Sequence, residues 1–176
     1  FSLWLQVSLS ALIICTSTIP AVAADPSIQV AFSPNQGATE ALVELIDEAK
    51  QSIHVAAYNF TSNDIAKSLI EAQKRGVEVM VVLDRSNTTA PHSVAPVLYM
   101  AGIPTRIDYN YKIMHDKFMV VDSESVETGS FNYTSSAEGH NAENLIILRN
   151  HPDIAKQYQE NWQELWDESR NYKPHD

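Results

Sequence analysis

The sequence predicts an α/β fold, with a mixed central β-sheet flanked by helices. Two patterns indicate this class. Up to about Asp108, β-branched runs alternate with segments in which apolar residues recur at helical spacing. Beyond that point, three extended runs precede one final helix. Strands that alternate with helices are typical of a sheet with helices packed on its faces, and 176 residues are enough for one such domain.

The elements follow one another with recognisable boundaries. Strands are predicted at 28–32, 52–60, 77–83, 104–108, 113–121 and 144–148, with a further extended run around 130–132. Helices are predicted at 38–49, 65–74, 94–101 and about 150–166. Polar capping residues before position 65, Gly76 after the second helix and Pro152 in the first turn of the last one support these boundaries. The polar segment 84–91 is predicted to be a loop.

The N-terminal segment differs from the remainder of the chain. Residues 1–24 carry no charge, have an apolar centre at about 3–14, and end in the small-x-small sequence Ala21-Val22-Ala23. This pattern predicts a signal peptide at 1–24, followed by a single mature domain at 25–176 that is periplasmic or secreted. A retained membrane anchor is the alternative, but Pro20 interrupts the apolar run, which is short for a span of about 20 residues.

Composition limits the classes of function. The net charge of -10 argues against a non-specific nucleic-acid binder, because phosphate neutralisation supplies most of the affinity of such proteins. Positive charge would have to be local, and Arg106, Lys112 and Lys117 do lie close together in the sequence. No His-Glu-x-x-His pattern or clustered carboxylate pattern occurs, so neither a catalytic metal nor another cofactor is predicted.

One stretch concentrates the candidate catalytic side chains. In the predicted strand 113–121, His115 and Lys117 point to the same face, because side chains alternate along a strand. Two further extended runs follow, and each contributes polar residues. Neighbouring strands would then gather five side chains at one end of the sheet: His115, Lys117, Ser130, Asn132 and Glu143. An imidazole, an ammonium, a hydroxyl, an amide and a carboxylate together suit phosphoryl chemistry.

The spacing of this set resembles a known signature. His115-x-Lys117-x4-Asp122, with Gly129-Ser130-x-Asn132 behind it, is similar to the HxKx4D pattern of the phospholipase D superfamily. The strings at 127–134 and 142–144 are similar to the small bacterial endonucleases of that superfamily, and the resemblance covers about 28–166, which is nearly all of the mature chain. It implies a phospholipase D-like α/β sandwich and a metal-independent phosphodiesterase that cleaves DNA, with RNA as a second candidate substrate.

The candidate residues have distinct expected roles. A neutral imidazole can attack phosphorus, so His115 is the candidate nucleophile, and the resemblance implies a phosphohistidine intermediate. Lys117 can neutralise charge that grows on the phosphate oxygens in the transition state. The resemblance assigns phosphate binding also to Ser130 and Asn132, although Ser130 also suits a turn after a glycine. Glu143 either fixes the tautomer of an imidazole or is an ordinary strand-edge carboxylate.

Asp122 and Gly129 are expected to be structural members of the motif. Asp122 lies an odd number of residues from His115, so an unbroken strand would turn it to the opposite face. It also opens a turn, which it could cap unless it pairs with a basic residue. No direct catalytic role is therefore predicted for it.

The chain contains one copy of the motif, whereas the mechanism needs one imidazole to attack and another to protonate the leaving group. The small bacterial members of the superfamily solve this as homodimers, which implies a homodimer with a composite site here. A lipid phosphodiester such as cardiolipin is an alternative substrate for the same chemistry. However, the mature chain shows no basic amphipathic helix, so no stable membrane association is expected. A catalytically silent module that only binds phosphate backbones is the third possibility.

Overall fold

The computed structural model describes residues 25–174. Within them the chain forms eight strands: β1 (Ser27–Ser33), β2 (Ser52–Ala57), β3 (Glu78–Asp84), β4 (Thr105–Asp108), β5 (Lys117–Val121), β6 (Ser125–Gly129), β7 (Glu143–Arg149) and β8 (Arg170–Asn171). Five α-helices accompany them: α1 (Ala38–Glu48), α2 (Asn63–Lys74), α3 (Ala95–Met100), α4 (Ser135–Gly139) and α5 (Pro152–Glu168). The predicted signal peptide lies outside the described residues.

All eight strands belong to one mixed sheet in the order β1-β7-β6-β5-β2-β3-β4-β8. Strands β2, β3 and β4 run parallel, because α2 and α3 carry the chain back between them, and the other neighbours are antiparallel. The carboxyl end of β2 therefore lies beside the first residue of β5, with Ala57 opposite Lys117. This edge of the sheet also holds the end of β6 and the start of β7. The predicted α/β architecture with a mixed sheet and flanking helices is confirmed.

Helices cover both faces of the sheet. On one face, the apolar sides of α1, α2 and α3 pack over the buried side chains of the central strands. On the other face, α5 packs Trp162 and Leu165 against a second cluster that includes Phe118 and Val126. The indole Nε1 of Trp162 donates to the Val55 carbonyl at 2.9 Å, which satisfies its only polar group. Within residues 25–174, every helix is too short or too polar to cross a bilayer.

Several boundaries differ from the predicted ones. The predicted strand 113–121 begins only at Lys117. The bond from the Tyr58 amide to the Asp116 carbonyl, 2.9 Å, continues the register of β2 and β5 by one step, but before it the Met114 amide donates to Asp84 Oδ2 at 2.8 Å and not to a strand. The predicted loop 84–91 opens with one turn of 3₁₀ helix, Arg85–Thr88, in which the Asp84 carboxylate caps the Ser86 amide. The short elements α4 and β8 were not predicted from the sequence.

Candidate active site

A depression of about 520 Å³ opens at the edge of the sheet where β5 and β7 begin and β6 ends. All the predicted catalytic and phosphate-binding side chains line it, together with a glycine of the motif: His115, Lys117, Gly129, Ser130, Asn132 and Glu143. Residues spread over 29 positions of sequence meet there because the hairpin β5–β6 and the return through β7 place their ends side by side. The sequence prediction of a single gathered site matches this placement.

Lys117 is the buried cation of the site, with 7% of its surface exposed. Its Nζ donates to the His115 carbonyl at 2.6 Å and lies 5.3 Å from the centroid of the Tyr58 ring. Burial lowers the pKa of Lys117, while the carboxylates of Asp116 and Glu143 act in the opposite direction. A cation with little water around it interacts more strongly with phosphate oxygens than a solvated one does.

The His115 side chain is exposed to solvent at the mouth of the depression. Its ring meets the Tyr58 ring edge-on, with centroids 4.7 Å apart and an interplanar angle of 60°. Among the described residues, no side chain hydrogen-bonds its ring nitrogens. An imidazole held by its backbone and by one aromatic contact, with both nitrogens open, is placed to act on an incoming group.

Ser130 and Glu143 form a hydrogen-bonded pair. The Ser130 hydroxyl donates to Glu143 Oε2 at 2.6 Å and accepts from the Asn144 amide at 3.1 Å. The other oxygen, Glu143 Oε1, accepts from Asn141 Nδ2 at 3.2 Å. The carboxylate thus lies against the serine rather than against the imidazole of its own chain.

Asn132 and Gly129 complete the lining. The Asn132 Oδ1 atom is buried and has no hydrogen-bond partner among the described residues. Gly129 is required by packing, because a Cβ there would collide with the Asn144 carbonyl oxygen and lie 2.8 Å from Leu145 Cα. The absence of a side chain at position 129 lets β6 and β7 approach closely enough to align Ser130 with Glu143.

Asp122 lies at the far end of β5, away from the depression. It adopts a left-handed conformation with φ of 53°, and its carboxylate accepts from three successive backbone amides, Lys50, Gln51 and Ser52, at 2.7–2.9 Å. Its contacts are those of a structural residue. The carboxylate caps the segment that leads into β2, whereas the sequence had suggested its own turn or a basic side chain as its partner.

Three residues that support the site were not singled out from the sequence: Tyr58, Asp84 and Asn87. Asn87 Nδ2 donates to the Tyr58 carbonyl at 2.6 Å and to the Asp84 carbonyl at 3.0 Å. Since Asp84 also holds the Met114 amide, one buried polar unit supports both the ring beside His115 and the backbone before it. The signal available was positional, because functional side chains in α/β sheets collect at the carboxyl ends of parallel strands.

A second buried polar pair joins β6 to the segment that follows it. The Tyr133 hydroxyl donates to Glu127 Oε2 at 2.7 Å, and both residues are fully buried. Burial raises the pKa of Glu127 to about 8, partly offset by the tyrosine hydrogen bond. Burial also raises the pKa of Tyr133, and the neighbouring Glu127 adds to this effect. Glu127 is therefore mostly uncharged at neutral pH.

Among residues 25–174, no three histidine, cysteine or carboxylate side chains lie close enough together to hold a metal ion. Of the three cations that are close in sequence, Lys117 lies in the site. Arg106 instead stacks over Trp166 on the α5 face, with Cζ 4.2 Å from the ring centroid.

The family follows from comparison with known proteins. The model of the family described as cardiolipin synthase, PLD-like domain, matches residues 42–166. The chain belongs to the phospholipase D family. Its structure is similar to that of Nuc, a phospholipase D family member from Salmonella typhimurium, with a TM-score of 0.80 and 44% identity over 85% of this chain and 99% of that one. NucT from Helicobacter pylori, 21% identical, has the same fold, with a TM-score of 0.77, covering 84% of this chain and all of that one.

Several proteins that are similar in sequence have names that refer to lipid substrates. A protein named phospholipase D from Rickettsia bellii is 38% identical over 77% of this chain and 67% of its own length. Another, named mitochondrial cardiolipin hydrolase, from Xenopus laevis, is 37% identical over 72% of this chain and 60% of its own length. This chain thus spans roughly two thirds of these proteins. Membership of the phospholipase D family makes it a phosphodiesterase, and these names leave both nucleic-acid and lipid substrates open.

Proposed function

We propose that this phospholipase D family member is a periplasmic or secreted endonuclease that hydrolyses DNA without a metal ion, with RNA as a second candidate substrate of the same chemistry. The observation that carries the proposal is the set of side chains in one depression, combined with 44% identity to Salmonella Nuc over 99% of that chain. The resemblance of the motif strings to the small bacterial endonucleases supports the same substrate class. The open depression suits an extended backbone better than a single buried base.

The proposed reaction proceeds in two steps. A ring nitrogen of His115 attacks phosphorus and forms a P–N bond, while the P–O bond to the leaving strand breaks and a second imidazole gives that oxygen a proton. Water then attacks the phosphohistidine, returns a proton to the second imidazole and releases His115. Lys117, Ser130 and Asn132 stabilise the charge on the non-bridging oxygens in both steps.

The second imidazole comes from a second copy of the chain. Among the residues that line the depression, His115 is the only histidine. A two-fold axis near the depression would bring two copies of the motif face to face, and each Glu143 carboxylate would then have an imidazole to orient. The proposed active form is a homodimer with one composite site.

Hydrolysis of a lipid phosphodiester is the second candidate, and a specific observation favours it: relatives at 37–39% identity are named phospholipase D or cardiolipin hydrolase. The described residues, for their part, contain no helix that could cross a membrane. The two substrate classes require the same attack on phosphorus, so only an assay with both substrates separates them.

The test is cleavage of supercoiled plasmid by the mature protein at low salt in excess EDTA, beside two variants. His115→Ala removes the nucleophile, and His92→Ala is the matched control because His92 lies in a loop away from the depression. We expect nicking with EDTA by wild type and by His92→Ala, and none by His115→Ala. Nicking that needs a metal, or that survives His115→Ala, would refute the proposed mechanism. No nicking, together with release of phosphatidic acid from cardiolipin vesicles, would favour the lipid substrate.

A further inference from the structure

A groove of about 540 Å³ lies along β8 and the end of β4, and two cations and two tyrosines are among the residues that line it. It runs along the segment after β4 and along β8, and Thr88, Tyr109, Arg170 and Lys173 are among its lining residues. The Arg170 guanidinium lies over the Tyr109 ring, with Cζ 5.6 Å from the centroid. Within residues 25–174, neither Arg170 nor Lys173 has a carboxylate oxygen within 4.0 Å. The groove therefore carries positive charge that no salt bridge of the described residues neutralises.

The end of the groove formed by Thr88, Tyr109 and Arg170 lies at the same edge of the sheet as the active site, whereas Lys173 lies farther along β8. Strand β8 is antiparallel to β4 and pairs Arg170 with Ile107, next to the carboxyl end of β4. Strand β4 is three strands away from β5, where the His115 segment enters the sheet. At about 4.8 Å between neighbouring strands, β4 lies roughly 14 Å from β5, and β8, which carries Arg170, lies roughly 19 Å from it. These separations correspond to about four to six nucleotides at the 3.4 Å axial rise of a B-form strand, and to fewer if the strand is extended.

Two further cations lie between the groove and the active site. Arg85 Nη2 donates to the Lys112 carbonyl at 3.0 Å, and both side chains are exposed. Arg85 opens the 3₁₀ helix that contains Thr88, and Lys112 is three residues before His115. Like the groove cations, neither forms a salt bridge with another described residue. Cations that form no salt bridge with another described residue thus lie between the site and the groove.

We propose that the groove formed by Thr88, Tyr109, Arg170 and Lys173 is a second subsite, which binds the backbone and one base of a nucleic-acid strand whose scissile phosphate lies at His115. This inference rests on the proposed nuclease function and names the part of the substrate that the depression itself does not reach. Cations that follow the phosphates, together with an aromatic ring on which a base stacks, are the combination that binds single strands without sequence preference.

The composition of the groove favours a nucleic-acid strand over a lipid. Its one branched aliphatic lining residue, Ile107, is 1% exposed and so offers no surface to an acyl chain. Tyr109, in contrast, is 44% exposed, although the Arg170 guanidinium lies over its ring. An acidic protein that binds a polyanion needs a local cationic path of this kind.

The experiment measures steady-state cleavage in EDTA of a single-stranded 12-mer and of a dinucleotide that is too short to reach the groove. The test variant is Arg170→Gln/Lys173→Gln, and Lys67→Gln in α2 is the control, because Lys67 is an exposed lysine that lines neither the depression nor the groove. For the ring, Tyr109→Leu removes stacking and Tyr109→Phe keeps it. Binding of the labelled 12-mer by the His115→Ala protein, with and without the groove substitutions, is followed by fluorescence anisotropy.

We expect the charge variant and Tyr109→Leu each to raise KM for the 12-mer at least about fivefold, as loss of one stacked base or phosphate contact would, with kcat unchanged. KM of these two variants for the dinucleotide should be unchanged. Lys67→Gln and Tyr109→Phe should leave KM unchanged for both the 12-mer and the dinucleotide. Equal effects on both substrates, or none on the 12-mer, would overturn the subsite while leaving the nuclease intact. Binding of the 12-mer through the groove without cleavage would reject the proposed function alone. Neither binding nor cleavage would reject both.

Discussion

The fully buried Glu127 makes the stability of this protein depend on pH in a way that one substitution should remove. In the folded chain its pKa is about 8, whereas its ordinary value is 4.5. Between these values the unfolded chain has released the proton and the folded chain retains it, so the free energy of unfolding falls as pH rises. The slope from one such group is about 1.4 kcal/mol per pH unit. The stabilising effect is complete below pH 4.5 and is lost by about pH 8.

The perturbation is Glu127→Gln, which keeps the shape and removes the titration. The amide adds one buried N–H without a partner, so at pH 5 the variant should be less stable than wild type by about 1–3 kcal/mol. Between pH 5.5 and 7.5 wild type should lose about 3 kcal/mol more than the variant does, because two pH units lie within the titration range. The two stabilities should therefore converge, or cross, as pH rises.

The assay is urea unfolding at fixed protein concentration from pH 5 to 9, followed by the fluorescence of the buried Trp162. Tyr133→Phe is the matched control: it removes the hydrogen bond that lowers the pKa of Glu127, so its pH dependence should persist and extend to higher pH. Parallel curves for wild type and Glu127→Gln over the whole range would show that Glu127 is ionised in the folded protein, and the reasoning from burial would then be wrong.

Three other substitutions test the supports of the site. Asp84→Asn should lower kcat by about 10–100-fold with little change in KM. The asparagine side chain has only one acceptor oxygen, so it cannot accept from both the Met114 and the Ser86 backbone amides, and the backbone before His115 shifts. A change confined to KM would contradict this. Gly129→Ala should lower the free energy of unfolding, measured by thermal denaturation, by about 1–3 kcal/mol and should reduce activity, because the new Cβ collides with the Asn144 carbonyl. Wild-type behaviour in both assays would refute the packing argument. Asp122→Ala should lower the free energy of unfolding in urea by about 2–3 kcal/mol, because it removes the acceptor of three backbone amides. The kcat of the folded protein should stay near wild type, since these amides are far from the site. A large fall in kcat at full stability would point to a catalytic role.

The gathering of the site could be predicted because it depends on short-range chain geometry. His115, Lys117, Ser130 and Glu143 lie at the ends of strands that are consecutive in sequence, and consecutive antiparallel strands are usually neighbours. The start of β5 could not be predicted from the same pattern. Its apolar run extends back to Ile113, but the carboxylate of Asp84, from a distant part of the chain, binds the Met114 amide and keeps this backbone out of the ladder. Tertiary hydrogen bonds overrode the local strand preference there.

The alternation of side chains along a strand correctly predicted that Asp122 lies away from the catalytic side chains, but it explains this location only in part. The odd spacing from His115 predicted that its side chain would point away from the catalytic one, and it does lie far from the depression. The strand, however, ends at Val121, and Asp122 enters a left-handed conformation in which its carboxylate reaches the amides before β2. No pattern around Asp122 indicates which distant amides need an acceptor, because that need is created by the packing of β2 beside β5.

The net charge of the chain is a poor guide to its substrate, because the two signs of charge are distributed differently over the described residues. Several cations are paired with carboxylates of the helices or of the strand edge: Lys74 with Glu71, Arg75 with Asp47, Arg149 with Glu48, and Lys156 with Glu160. The cations at the edge that carries the depression, Arg85, Lys112 and Lys117, have no such partner within residues 25–174. A phosphodiester responds to the field at this edge, since charges farther away than about 10 Å are largely screened at 0.1 M salt. At low salt, the acidic side chains elsewhere therefore slow the approach of a polyanion more than they weaken its contacts at the site. Raising the salt concentration should first relieve this repulsion. Only at higher salt should it weaken the phosphate contacts themselves.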